Sequence, residues 1–411
     1  MFSISQDFAP PFKLIAPFFV IGSFFYLFAS IYLFGIDPSS VTFDQPEVLA
    51  FVHLVLLGFV MMVIFGAMAQ LVPVVLEVGH FGVELFYAIW PLLLIGSVMM
   101  VGGFVYSAAL LPYGGVVVLI AMLIFVFEIF LTMFKVKSFS LEMKSLFIAN
   151  IFLFLGIIFG LLMALGYAGT ISVDISALLK AHIFAVIGGY ISVTIMGLSV
   201  VLVPMFTLAH SFSKRPLEIG IYGMSGGVAL AIIGSLLDIS WLRTIAFIIA
   251  LLSLGSYFRM IYIIFKTRPR KENDVYAISL MFSYGSMIVS LVFGVLYLLF
   301  DTQKLLMAGM WLLFFGFFAF LITGHLYKII PFLVWFERFS PLVGKQKVPM
   351  LADMVPYKSS QAQFIFCAVG VVLITLAILS SSKMMMGAGA SFMVMGTLAF
   401  IRSVFYMINF K

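Results

Sequence analysis

Charge is scarce in this chain. Of 411 residues only 9% are charged, 22 Lys and Arg against 16 Asp and Glu, while 64% are hydrophobic and mean hydropathy is +1.26. A soluble domain needs about a quarter of its residues charged to keep its surface solvated, so this composition cannot supply one. Cysteine is scarcer still. The single Cys367 lies inside an apolar run, which excludes disulfide frameworks, iron–sulfur clusters and Cys-based zinc sites. Only five histidines are present, a limit on any imidazole-based metal chemistry. There is no Walker loop and no dinucleotide fingerprint, so ATP- and nicotinamide-driven chemistry finds no support. Nothing in the chain points to a nucleic-acid partner.

What the chain does have is long apolar runs. A transmembrane helix needs ~20 apolar residues and a connection ~8 to 15 more, so this length holds roughly twelve spans and no large soluble domain. Runs this long do not read as the ~10-residue alternating strands of an outer-membrane barrel. The predicted class is therefore all-α, a polytopic protein whose main partner is the lipid bilayer. Breaks at charges, Gly and Pro delimit twelve spans at 12–35, 46–73, 83–106, 109–134, 145–168, 178–206, 217–237, 240–265, 275–300, 305–335, 359–381 and 384–409. The segment Met1 to Lys13 lacks a basic region followed by a small-residue cleavage site, so the first run is expected to be a retained span.

Basic residues fix the expected sidedness. With a cytoplasmic N-terminus, fifteen Lys and Arg fall on inner segments and four on outer ones, Lys180, Arg243, Lys304 and Lys383. The positive-inside rule then puts both termini in the cytoplasm of a bacterial-type inner membrane. The longest inner loop, Glu337 to Lys358, is basic and proline-punctuated, the kind of segment that is solvated or docks a partner.

The chain also repeats itself. The second span carries Gly58, Gly66 and Pro73, the sixth Gly189, Gly197 and Pro204, and the tenth Gly316, Gly324 and Pro331, spaced eight and then seven residues each time. At ~100° per residue these positions fall near 0°, 80° and 60°, on one helix face. Small residues there admit a close neighbour. The copies lie 131 and 127 residues apart, four spans each time. The expected organisation of the single membrane domain, 1–411, is three four-helix arcs, approximately 1–140, 141–272 and 273–411, about a pseudo-threefold axis, all in one orientation.

Twelve helices in three arcs, with His53-Leu-Val-Leu-Leu-Gly58 and Gly66 to Pro73 in the second span and Thr323-Gly324-His325-Leu326 in the tenth, resemble subunit I of the haem–copper oxidase superfamily, including the catalytic subunit of nitric oxide reductase. The resemblance implies a low-spin b-type haem with His53 and His325 as axial ligands, and a respiratory or redox membrane partner. It also marks a departure. The family's oxygen-reducing centre needs six histidines, whereas this chain has five, with none in the seventh span. Neither a copper centre nor oxygen or nitric oxide reduction is therefore expected. The implied role is electron transfer, sensing or an accessory function in respiration. A transporter reusing the same bundle, for a metal, haem or small molecule, is the alternative.

The repeat register sets a difficulty for that ligand pair. Measured from the matched glycines, His53 and His325 stand fourteen residues apart, roughly 21 Å along the membrane normal. His182 in the sixth span lies toward the same outer end as His53, so the pairings His53/His325 and His53/His182 both stay open, with interfacial snorkelling the other role for His182. Toward the inner side Gln70, Glu128, Arg259, Lys328 and Arg402 form a candidate buried charge network, because charges at that depth pair or line a wet cavity. Glu128 is the acid clearly inside a span and is expected to pair with one of the three bases; Arg259 and Arg402 are also long enough to snorkel. The 26 methionines, with runs at Met61-Met62, Met99-Met100 and Met384 to Met386, include thioethers that could bind Cu(I). Adjacent residues on a helix point apart, so these runs are expected to pack or face lipid.

Overall fold

Apolar windows long enough to cross a bilayer become helices, and among the described residues twelve do so. The computed structural model describes residues 8, 10–137, 139–210 and 212–411. Its spans are α1 Phe12–Gly35, α2 Pro46–Leu76, α3 Val83–Val105, α4 Ala108–Met133, α5 Leu141–Tyr167, α6 Ile175–Thr207, α7 Arg215–Leu236, α8 Ser240–Thr267, α9 Val275–Phe300, α10 Gln303–Arg338, α11 Tyr357–Ser380 and α12 Lys383–Ile408. All regular structure in the described residues is helical. The ends move by a few residues from the apolar runs for local reasons. α5 starts at Leu141 because the Ser140 hydroxyl accepts from the Met143 N–H at 3.2 Å, and α6 starts at Ile175 because Asp174 accepts from Ala177 N–H at 3.0 Å. Such caps satisfy N-terminal donors that hydropathy alone does not register.

Contacts group the chain into two units. One is built on Ala69–Met99 and Ser107–Lys271, and so holds α4 to α8 with the end of α2 and most of α3. The other is built on Pro10–Met68, Met100–Tyr106 and Glu272–Lys411, and so holds α1, most of α2 and α9 to α12.

Within each unit the glycine faces do what small residues permit. Gly58 and Gly66 of α2 lie against Phe25 and Phe18 of α1, Gly189 and Gly197 of α6 against Phe152 and Ser145 of α5, and Gly316 and Gly324 of α10 against Ser286 and Ser279 of α9. Each partner pair is seven residues apart and runs antiparallel to its glycines. A Cβ at Gly66 would stand 2.6 Å from the Phe18 Cβ, and one at Gly316 2.5 Å from the Ser286 Cβ. All three helices also widen into π-helical turns around the first glycine, at Leu54–Met61, Phe184–Ile191 and Leu312–Phe318. Such turns are rare and concentrate at functional sites. Finally, α2 and α6 stop alike: Glu77 and Leu208, each four residues after the proline, are left-handed at φ 54° and 57°. The Val78 and Ala209 N–H groups then close back on the Pro73 and Pro204 carbonyls at 3.2 and 3.1 Å.

Candidate functional site

The most heavily bonded ionisable pair in the interior of the α4–α8 unit follows from Pro73. Proline has no N–H, so the carbonyl four residues earlier, that of Ala69, loses its helical donor. The left-handed Glu77 turns the chain back along α2, and His80 supplies the missing donor: its Nε2 lies 2.6 Å from the Ala69 oxygen. The other ring nitrogen, Nδ1, lies 2.8 Å from Glu128 Oε1 of α4. Both side chains are buried, 2% exposed for His80 and 0% for Glu128.

Further donors converge on the same carboxylate oxygen. Thr132, one turn along α4, donates its hydroxyl to Glu128 Oε1 at 2.7 Å, and the Phe81 N–H reaches Oε1 at 3.1 Å and Thr132 Oγ1 at 2.9 Å. Lys135 donates to the Gly79 and His80 carbonyls at 3.2 and 2.9 Å. The connection after α2 is thereby fastened to the end of α4. Phe86 closes the site edge-on, its ring centroid 4.9 Å from that of His80. Glu128 Oε2 and Gln70 Oε1 are buried without a hydrogen-bond partner.

This geometry fixes a proton count. A carbonyl only accepts, so Nε2 carries a hydrogen. Between Nδ1 and Oε1 lies one further proton, whether the pair is imidazolium and carboxylate or neutral imidazole and carboxylic acid. With both contacts made as hydrogen bonds, the pair is net neutral and shares one proton between Nδ1 and Oε1.

The predicted charge network divides differently from expectation. The partner of Glu128 is His80, and not Arg259, Lys328 or Arg402. Lys328 instead pairs with Asp274 at the start of α9, Nζ to Oδ2 2.6 Å, and lies 5.7 Å from the Tyr276 ring. Asp274 was out of view because it caps α9 outside the apolar run, accepting from Ala277 N–H at 3.0 Å. Arg259 and Arg402 are exposed, the arrangement snorkelling produces. His80 escaped sequence reading because it stands in a connection. Its signal was the proline seven residues before it, whose freed carbonyl needed a donor. The corresponding His210, six residues after Pro204, is exposed.

The three histidines selected as candidate ligands share one feature. The Nδ1 of His53 faces the Leu49 carbonyl, that of His182 the Gly156 carbonyl and that of His325 the Leu321 carbonyl, each at 2.7 Å. A neutral ring so held has its hydrogen on Nδ1 and its lone pair on Nε2. His182 lies against Gly160 of α5, where a Cβ would come within 3.1 Å of its ring. His53 packs on Phe104 near the end of α3, centroids 5.0 Å apart, and His325 on Tyr276 near the start of α9, at 5.2 Å.

His53 and His325 do not fit as axial ligands of one haem. Between α2 and α10 stand stacked rings: Phe51 on Phe315 at 5.5 Å, Trp311 on Phe315 at 4.2 Å and Tyr26 on Phe59 at 4.6 Å, with Tyr26 also 5.9 Å from Phe315. These contacts set residues 51 to 59 of α2 level with residue 315 of α10. His53 is inside that window. His325 lies ten residues beyond Phe315, about 15 Å further along the helix. One iron cannot bridge that interval.

A scan of the sequence against protein-family models finds no match, and a search among curated proteins finds none either.

Proposed function

We propose that this chain is a proton-coupled membrane transport protein in which the His80–Glu128 pair is the proton carrier. The observation that carries the reading is that both nitrogens of a buried imidazole face oxygens, one a carbonyl and one a carboxylate. Intramembrane ionisable groups are costly and mark ion and proton paths. Losing the shared proton leaves a neutral ring against an ionised carboxylate, so one ring nitrogen presents a lone pair to an oxygen and one contact breaks. That contact fastens the connection after α2 to α4. Proton release therefore favours an unfastened state and proton uptake a fastened one, which is the differential interaction that coupling requires. On the expected topology the site faces the cytoplasmic half. The three matched π-helical turns and glycine faces support the reading of three repeated arcs, in which the second helix of each, α2, α6 and α10, slides against its predecessor. The test is reconstitution into vesicles with an imposed pH gradient. Glu128→Gln and His80→Asn should each abolish proton movement through the chain, whereas wild-type flux in both variants would refute the reading.

A second reading keeps haem. The Nε2 lone pairs of His53, His182 and His325 are in the form in which histidine ligates iron, with Nδ1 held by a carbonyl. The resemblance to haem–copper oxidase subunit I supports a b-type haem held by one of them and a redox partner in the membrane. An absorption spectrum of the purified protein separates the readings: a reduced α-band that disappears in His53→Ala favours haem, and a featureless visible spectrum favours the transporter.

A further inference from the structure

A cavity of about 50 Å³ lies inside the unit that holds α1 and α9 to α12, where α1 and α11 end and α2, α10 and α12 begin. Every side chain that lines it is aliphatic, aromatic or a thioether, the largest being Phe51, Met307, Met310, Trp311, Phe314 and Met386. Met307 and Met310 stand three residues apart and so share a face of α10, while Met386 comes to the cavity from α12. The only N–H among these side chains, that of Trp311, donates to the Val371 carbonyl at 3.0 Å. The lining thus offers an occupant no hydrogen bond. On the side of the connection between α1 and α2 the wall is Ile36 and Val41. That connection is tied down: the Gln45 amide donates to the Ser40 carbonyl at 2.9 Å, and Asp37 accepts from Lys383 at 2.6 Å, three residues before Met386.

We propose that this cavity is a binding site for a small, neutral, non-polar molecule, one the size of a dissolved diatomic gas. The lining selects the chemistry. Water would meet no hydrogen-bond partner there, and cavities walled by apolar side chains stay dry yet take up benzene or xenon. An ion or polar solute would shed its hydration with nothing in return. The volume sets the size. Benzene, with six carbons, goes into a cavity of ~150 Å³, so a third of that volume admits roughly two heavy atoms. Thioethers and aromatic rings are polarizable, which favours dispersion contact with an occupant that has no charge or hydrogen bond to offer. This inference stands apart from the His80–Glu128 site, which belongs to the other unit.

Xenon is the probe, and the methionine methyls are the reporters. The full chain, methyl-labelled at methionine and held in detergent micelles, is titrated with xenon under pressure, with signals assigned by Met307→Leu, Met386→Leu and Met384→Leu. Met384 stands two residues from Met386 but is 83% exposed, so it reports xenon dissolved in the micelle. The proposal expects saturable shifts at Met307 and Met386 and, at Met384, a shift that only rises in proportion to pressure. Dioxygen should likewise relax the buried Met307 and Met386 methyls more than the exposed Met384 methyl, the reverse of what exposure alone gives. Proportional shifts at all three, or relaxation that follows exposure, would overturn the proposal. Val41→Phe, in the wall outside any helix, puts a ring into the space and should raise the half-saturating pressure by about tenfold. If that variant does not fold, Val52→Ile, which adds one methyl to the lining, should raise it in the same direction. Unchanged saturation in either folded variant counts against the site.

Discussion

Removing His80 alone should be more damaging than removing it together with the charge it faces. In His80→Ala the Glu128 carboxylate keeps two neutral donors, Thr132 at 2.7 Å and Phe81 N–H at 3.1 Å, but loses the imidazole at 2.8 Å while remaining 0% exposed. Breaking one side of a buried ion pair typically costs ~3–5 kcal/mol. The Ala69 carbonyl, already deprived of a helical donor by Pro73, loses its second partner too, about 1 kcal/mol more. Glu128→Gln keeps an oxygen for the Thr132 and Phe81 donors and an N–H for the ring, so it should cost only ~1 kcal/mol. The double variant should therefore be more stable than His80→Ala, with a coupling of about 2 kcal/mol, inside the range seen for residues sharing one network. The assay is equilibrium unfolding of the purified protein in mixed micelles, followed by circular dichroism. A His80→Ala cost below ~1 kcal/mol, with the double variant simply additive, would place the pair with ordinary surface ion pairs and refute the reasoning.

Other outcomes follow from the same geometry. Pro73→Ala returns an N–H to the Ala69 carbonyl, so it should displace His80 Nε2, visible as a changed histidine nitrogen resonance. Gly197→Ala drives a methyl into the Ser145 hydroxyl, with the Ser145 Cβ 2.7 Å away; it should cost ~1–3 kcal/mol, and Ser145→Gly should recover part of that in a double-mutant unfolding cycle. Outside the spans, the pKa of Asp37 is held down to about 2 by the hydrogen bond it accepts from Lys383 and those it accepts from Ser39. The Asp37–Lys383 contact should thus persist from neutral pH through the ordinary carboxylate range and be lost only as pH falls through about 2. Carboxyl resonances should report it, with Lys383→Met returning Asp37 toward the usual carboxylate value.

Much of this fold was legible because hydropathy and helix length are coupled so tightly in lipid. All twelve spans lie where the apolar runs lie, and the glycine spacing marked the faces on which α2, α6 and α10 receive their predecessors. Side-chain partnership was less legible. Glu128 stood out as a buried acid, but its partner sits in a connection that hydropathy treats as solvent-exposed, brought inside by a left-handed turn at Glu77 that no residue preference signals. The π-helical turns were equally hidden, since an apolar run reads the same whether its turns are α- or π-helical. His53 and His325 were selected by likeness to a family, and the stacking of Phe51 on Phe315, which sets the register of α2 against α10 and so puts the two histidines at different depths, is not visible in a sequence of apolar residues.

The central claim is that the His80–Glu128 pair holds one exchangeable proton, and nitrogen resonances of the imidazole read it most directly. With ring-labelled histidine and His80→Asn for assignment, the account predicts a hydrogen on Nε2 of His80 and a proton shared between Nδ1 and Glu128 Oε1, with the Nδ1 resonance displaced in Glu128→Gln. An Nδ1 resonance with no shared proton, unchanged by Glu128→Gln, would contradict it.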